Sequence, residues 1–339
     1  MAVSRDLTFA EPDHYQSALR AVRADVIVSG KGKFHARLTQ VNFSRRWLQG
    51  GSDNLPRVAR LANDPSRAPV FLQTSFSQAP IVISGKEISP NELVVFRQGE
   101  TYINRSAGPS SWGALSLNQE ALAHAGRVIA GRELTFPPNT HSARPQPELL
   151  SRLARVHRQT TRLAAEDPER LGHPEVARFA EHTLIHLMIR CITDRSGPAD
   201  RIGNIRHNAI IRKFEELLIE NPHRPLHLAE VCAATGATER TLLRCCHNQF
   251  GMGPVRFLWL RRMNLVRAAL ARADAATSNV TEIATAHGFW ELGRFAVSYR
   301  GIYGESPSQT LARTSAWCPP FDRTVRPPGR FHQDLARIA

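Results

Sequence analysis

Arg240 and Arg244 stand one helical turn apart in "TERTLLRCCHNQF", residues 238–250, with no acidic residue between them. A guanidinium is a rigid fork of N–H donors that fits a phosphate or the O6/N7 edge of a guanine. If these residues are helical, Leu242 and Cys246 share the inward face, and Arg240, Leu243, Arg244 and His247 lie on the other faces. The arginines then reach a base edge or a phosphate, or form a solvated face. Two other constellations suggest metal chemistry and fall short of it. "EHTLIH" sets His182 and His186 at i, i+4, but its glutamate precedes the first histidine and no third ligand is evident. Cys245, Cys246 and His247 are adjacent, so the two thiols point to different faces; Cys246 is expected in a core and Cys245 partly buried. Residues 1–140 contain only His14, His35 and His124, none near another. A metal-dependent enzyme on β-strands would need closely spaced histidines there. No catalytic residue, metal ligand or cofactor is therefore assigned.

The element that would carry Arg240 and Arg244 has a counterpart. Val231, Cys232 and Gly236 share their mutual spacing with Ile283, Ala284 and Gly288. After each glycine comes an i, i+4 apolar pair: Leu242 and Cys246 in the first copy, Phe295 and Tyr299 in the second. Phe250-Gly251 then matches Tyr303-Gly304, and Pro254 matches Pro307. Each copy reads as helix, tight turn, helix, with the glycine supplying a positive φ at the turn. Thr238 is placed to cap the helix after the first turn, and Asn279 with Glu282 the helix before the second. Between the copies, residues 254–274 read as one unbroken helix of ~30 Å, close to the ~34 Å repeat that separates major-groove segments on one face of a DNA duplex. In the second copy Leu292, Gly293, Arg294, Val297 and Ser298 are the outward candidates. With one charged donor among them, that helix is expected to read shape and methyl groups.

Around this repeat the chain divides by pattern. Residues 1–146 read as β-rich: "KFHARLTQVNF" alternates Phe34, Ala36 and Leu38 with His35, Arg37 and Thr39. Further short runs at 69–76, 80–85, 92–99 and 112–119, separated by turn residues, suggest an antiparallel sandwich or barrel. Residues 147–193 carry two helical stripes, the second including Val176, Phe179, Leu184, Leu187 and Met188. Residues 194–204 read as a linker, 205–313 as an all-helical domain, and 314–339 as a proline-rich tail without fixed structure. The formal charge is +14, which asks for an anionic partner. Forty of the 44 basic residues are arginine, and the charge is not confined to one region. No apolar run is long enough for a membrane span and no secretion signal is read, so a cytoplasmic protein with reduced thiols at Cys191, Cys232, Cys245, Cys246 and Cys318 is expected.

"IATAHGFWELGRFAVSYRGIYGESP" resembles the signature of AraC/XylS-type transcription regulators, with Ile283, Ala284, Gly288, Phe289, Phe295, Tyr299, Gly304 and Pro307 on the family pattern. "LAEVCAATGATERTLLRCCHNQFGMGPVRFLWLRRMN" is similar to the family's first helix-turn-helix and linker helix. Cys232, Cys246 and Thr310 depart from the pattern, where alanine, phenylalanine and an aromatic are usual. "GFWELGRFA" and "GKFHARLTQ" look, more narrowly, like segments of ethanolamine-utilisation operon regulators. The resemblance implies an α+β chain: an N-terminal β-rich, cupin-like, effector-binding domain, a helical dimerisation segment, and a C-terminal domain with two helix-turn-helix units. It further implies promoter DNA, a small-molecule effector, a second copy of the chain and RNA polymerase as partners, and activation of a catabolic operon as the role. Phe34, Trp47, Phe96 and Trp112 are the candidate pocket aromatics, because aromatics commonly line such sites. The competing readings are a ligand-independent architectural DNA binder and a cupin-type enzyme fused to a DNA-binding domain.

Overall fold

The period-two alternation of residues 33–43 is realised as a strand between two neighbours, and strands of this kind stack into two sheets. The computed structural model describes residues 2–43, 46–73, 80–194, 200–202, 205–221, 224 and 226–313. In chain order the first elements are β1 (Val3–Phe9), α1 (Pro12–Ala18), β2 (Val22–Val28), β3 (Ala36–Asn42), β4 (Trp47–Asp53), β5 (Arg57–Asn63) and β6 (Arg67–Gln73). There follow β7 (Ile81–Ile83), β8 (Lys86–Ile88), β9 (Leu93–Val95), β10 (Thr101–Ser106), β11 (Ser110–Asn118), α2 (Gln119–Ala130) and β12 (His141–Ala143). Then come α3 (Pro147–Glu166), α4 (Pro168–Gly172), α5 (Pro174–Thr193), β13 (Asp200–Arg201) and α6 (Ile205–Glu220). The last are α7 (Leu228–Thr235), α8 (Glu239–Phe250), α9 (Pro254–Arg272), α10 (Val280–Ala286), α11 (Leu292–Tyr303) and α12 (Pro307–Ala312).

One sheet runs β1-β3-β4-β11-β6-β9-β12-β13 and the other β2-β5-β10-β7-β8. Every strand has two faces, and the alternation sorts its residues between two layers. Leu48, Val70, Leu115 and Leu117 of the larger sheet join Leu122, Leu153, Leu184 and Met188 of α2, α3 and α5 in one core. Their strand neighbours Gln49, Phe71, Ala114 and Ser116 face inward, toward the smaller sheet. Ile27, Val58 and Ile103 of the smaller sheet point the other way, into the core formed by α6–α12. The order of layers is thus helices, larger sheet, smaller sheet, helical C-terminal domain.

Several expectations need correction. Thr39 is 7 % exposed and not on a solvent face, because α3 covers that side of β3; its Oγ1 donates to Asp6 at 2.6 Å. Phe179 is 74 % exposed, since α5 turns Ala177, Leu184, Ile185 and Met188 toward the sheet and leaves Phe179 outside. Part of the expected linker is sheet: Ser142 and His141 pair with Asp200 and Arg201, using the free edge of β12, and Ile202 is buried. The helices α1 and α2 have no counterpart in the reading of the first 146 residues. Residues 314–339, read as a tail, lie outside the described residues, as do 195–199 and 203–204 of the linker.

Candidate nucleic-acid interface

The first helix pair is built by its caps. His227 and Glu230 form a reciprocal box at the start of α7, and Gly236 ends it at φ +65, a left-handed cap that a side chain would strain. Two residues later Thr238 accepts from the Thr241 N–H at 3.3 Å and opens α8. That start fixes which residues of α8 face in: Leu242, Cys245 and Cys246 are fully buried. Cys245 was expected to be only partly covered; the α6 and α9 sides of the bundle close over it as well as over Cys246. Burial raises the pKa of the Cys246 thiol to about 12, so it behaves as a small apolar side chain. Phe250 stacks on Phe257 at 4.0 Å between centroids and meets Phe214 of α6 edge-on, locking α8 to the start of α9. Arg240, Arg244 and His247 are exposed, and Leu243 is 47 % exposed.

The second pair repeats the plan with different materials. Asn279 accepts from the Glu282 N–H at 2.8 Å to open α10, Ala284 is fully buried at the crossing, and Gly288 turns the chain at φ +80. Phe295, Tyr299, Ile302 and Tyr303 of α11 face in, with Phe295–Tyr299 and Tyr299–Tyr303 centroids 5.6 and 4.6 Å apart. The departure at Thr310 has a physical reason: the Tyr299 hydroxyl donates to Thr310 Oγ1 at 2.8 Å, and Thr310 donates to Glu305 at 2.8 Å. Of the outward candidates, Gly293, Arg294 and Val297 are exposed, Ser298 is half-buried, and Leu292 packs partly against the core. Arg294 is paired with Glu291 at 2.8 Å, which lowers its claim on an external anion. Trp290, 78 % exposed in the turn before α11, joins Val297, 75 % exposed, on the outside of this pair. Sequence reasoning passed over Trp290; its signal is an indole between the turn residues Gly288-Phe289 and the helix start, where the inward pattern has no use for it.

α9 joins the pairs as a continuous 19-residue helix, so the spacer is rigid and about 28 Å long. Phe257, Leu260, Met263, Val266 and Leu270 recur on its buried side. Arg267, only 7 % exposed, leaves the same helix toward the N-terminal domain, where Glu11 takes it at 2.8 Å. Glu305 holds Arg267 from the other side at 3.4 Å.

The aromatic candidates divide two and two. Phe96 and Trp112 line a cavity of about 70 Å³ between the sheets, together with Tyr15, Phe71 and Tyr102. Trp112 lies across Gly51, where any Cβ would stand 2.4 Å from the ring, and its Nε1–H donates to Tyr15 Oη at 3.1 Å. Phe34 and Trp47 do not line that cavity. Phe34 packs on Tyr15 in a separate cluster, and Trp47 lies under the guanidinium groups of Arg20 and Arg67 at 5.1 and 5.2 Å. Trp47 shares the Gln49 face of β4 but is covered there by Arg20 and Arg67, and Phe34 precedes β3.

The two helix pairs thus expose Arg240, Arg244 and His247 on one helix and Trp290 and Val297 around the other, with α9 between them. The family description "Helix-turn-helix domain" matches residues 231–313. The chain is 28 % identical over 139 residues to "XylDLEGF operon transcriptional activator 2" of Pseudomonas putida, covering 41 % of this chain and 88 % of that protein. It is 39 % identical over 102 residues to "Probable thc operon regulatory protein" of Rhodococcus erythropolis, a match that spans 30 % of this chain and only 31 % of that protein. Among solved structures it is similar to the AraC-like transcriptional activator CuxR, at 14 % identity and TM-score 0.36 over 76 % of this chain and 94 % of that one. An AraC-type regulator from Chromobacterium violaceum matches at 22 % identity and TM-score 0.29, over 32 % of this chain and 95 % of that one. The C-terminal domain is a helix-turn-helix DNA-binding domain. The relatives that share this part of the chain are operon regulators by name. Among the described residues no helix is long and apolar enough to cross a membrane.

Proposed function

We propose that this protein is an effector-responsive activator that grips promoter DNA with two helix-turn-helix units at once. The carrying observation is the matched exposure of α8 and α11 on either side of α9: inward residues of both helices join one core, while their outward residues face solvent. In this reading α8 enters one major-groove segment and places Arg240 and Arg244 against guanine edges or phosphates, with Leu243 and His247 beside them. α11 enters the next segment and reads it through Leu292, Gly293, Val297 and Ser298, with Arg294 on the backbone and Trp290 against sugar or methyl groups. The ~28 Å length of α9 suits the ~34 Å groove repeat once the helix ends are added.

The rest of the chain takes the regulatory part. The cavity between the sheets is the effector site, α3 and α5 form the face that meets a second copy, and RNA polymerase is the partner of the activated state. A catabolic operon is the target in this reading. The ethanolamine-type likeness of "GFWELGRFA" falls on α11 and the turn before it. It therefore speaks to DNA contact and supplies no ligand. The test is selection of duplexes from a random library by the full chain, followed by titration of the winning site. Enrichment of a two-part site, with specific affinity at least ~10³-fold above non-specific binding, is expected. No enrichment over random duplex would overturn the reading.

A further inference from the structure

Strands β2, β5 and β10 form a wall one residue thick between the cavity and the DNA-binding domain. Along β5, Ala59 and Asn63 face the cavity while Val58 lies in the core of the helical domain and Arg60 meets Glu215 of α6 at 3.4 Å. Along β2 the same alternation sends Val26 to the cavity and Ile27 to the helical core. The end of β2 is tied directly to the spacer helix, the Val28 N–H donating to Asn264 Oδ1 at 3.4 Å. A little further on, the Gly32 N–H donates to the Ile302 carbonyl of α11 at 2.7 Å. The lining residues of β2 and β5 thus alternate with residues that touch the DNA-binding domain.

The lining also states what would fit. Both of its cations are engaged: Arg57 donates to Asp53 at 2.9 Å and to Asn104 at 3.0 Å, and the Arg20 guanidinium stands over Trp47. No carboxylate lines it. A cationic ligand would be buried with no carboxylate to meet it, and an anion would have to compete for arginines already engaged by Asp53 and Trp47. One polar atom is left over: Asn63, 4 % exposed, donates through Nδ2 to the Arg97 carbonyl, while its Oδ1 is buried with no hydrogen-bond partner among the described residues. That atom accepts a hydrogen bond from an O–H or N–H. The cavity holds about 70 Å³, less than half of an apolar cavity of ~150 Å³ that accepts benzene. A ring-sized molecule therefore has to push a wall outward. The larger sheet is braced by α2, α3 and α5, whereas the β2–β5–β10 wall rests on the helical domain through Ile27, Val58 and Ile103 and the Arg60–Glu215 pair, so its displacement is felt there.

We propose that the cavity binds an uncharged, ring-sized apolar molecule bearing one hydrogen-bond donor, received by Asn63, and that its insertion displaces the β2–β5–β10 wall and loosens the seat of the DNA-binding domain. This rests on the effector-responsive reading above and names both its ligand chemistry and its route. The test uses the full chain with three probes, indole, indene and benzoate, measured by calorimetry, and hydrogen exchange of α6 and the first half of α9 with and without probe. Indole is expected to bind at least tenfold tighter than indene, benzoate not to bind at pH 7, and saturating indole to speed exchange in α6 at least tenfold. Asn63→Ala should erase the preference for indole over indene while retaining indene binding, a split that mere loss of structure does not produce. Ala59→Leu, which fills the cavity from the wall itself, should abolish indole binding and speed α6 exchange without any probe. Indole bound with α6 exchange unchanged overturns the route; equal binding of all three probes, or none, by folded protein overturns the ligand chemistry. Duplex binding is measured in parallel on the same samples. If the folded chain binds no duplex, the regulator reading itself fails, and that result is distinct from either of the others.

Discussion

The two helix pairs share a backbone plan and differ in what they offer a partner. The first shows Arg240, Arg244 and His247 around Leu243, so its attraction is electrostatic and falls with salt. The second shows Trp290 and Val297, and its nearest cation, Arg294, is already paired with Glu291. Their inner faces differ as well: Leu242, Cys245 and Cys246 against α9 in one, a ladder of Phe295, Tyr299 and Tyr303 in the other. The two units keep their turn glycines and inward spacing while exchanging their outward residues. On the proposed reading, the first unit would supply affinity and charge readout and the second shape and methyl readout.

The largest effect should come from removing the charge of the first pair. Arg240→Ala with Arg244→Ala is expected to weaken site-specific binding by ~1–3 kcal/mol per arginine and to lower the salt slope of log K by about one for each that contacts phosphate. Anisotropy titrations from low to moderate salt measure both. An unchanged affinity would mean that these arginines form a solvated face. Trp290→Ala with Val297→Ala should weaken binding by ~1–3 kcal/mol at an unchanged salt slope. A slope that also falls would erase the contrast between the pairs.

A smaller effect tests the inner face of the second pair. Tyr299→Phe removes the hydroxyl that donates to Thr310 and so loosens the link through Glu305 to Arg267. A loss of about 1 kcal/mol in thermal unfolding is expected. The smallest effect is a pH dependence at the Arg60–Glu215 pair. Burial raises the Glu215 pKa to about 7 from an ordinary 4.5; Arg60 opposes the rise, and Asp25 and Glu216 add to it. A carboxyl whose folded pKa exceeds its unfolded one stabilises most below pH 4.5, and that stabilisation is lost as pH rises through 7. The melting temperature of the wild type relative to Glu215→Gln should therefore climb as pH falls from 7.5 to 5. His157 works in the opposite sense, its burial depressing its pKa to about 4, so its contribution is present above pH 6.5 and lost toward pH 4. Because His157 is common to both proteins, the difference between them isolates Glu215.

The helices were the most legible part of the chain. The stripes of α3 and α5, the caps at Thr238 and Asn279, and the turns at Gly236 and Gly288 are local patterns, and local patterns survive folding. What was lost needed a third dimension. Phe179 sits on an apolar stripe yet faces solvent, because periodicity gives the width of a face and not the extent of its cover. Cys245 was misjudged because α8 is covered on two sides by α6 and α9. Phe34 and Trp47 do not line the cavity between the sheets, since in a two-sheet sandwich both faces of a strand are buried and alternation cannot tell cavity from core. The Glu11–Arg267 pair joins residues 256 apart, and no spacing in the chain announces it. Trp290 precedes the first residue of α11, so helical periodicity assigns it no face.

The claim that matters most is simultaneous docking by α8 and α11. Hydroxyl-radical footprinting and methylation interference on a selected site measure it directly, with the full chain. The account predicts two major-groove patches on one face of the duplex, centred ~10 base pairs apart, with guanine methylation blocking binding only in the patch read by Arg240 and Arg244. A single protected patch that persists after Trp290→Ala and Val297→Ala would contradict it.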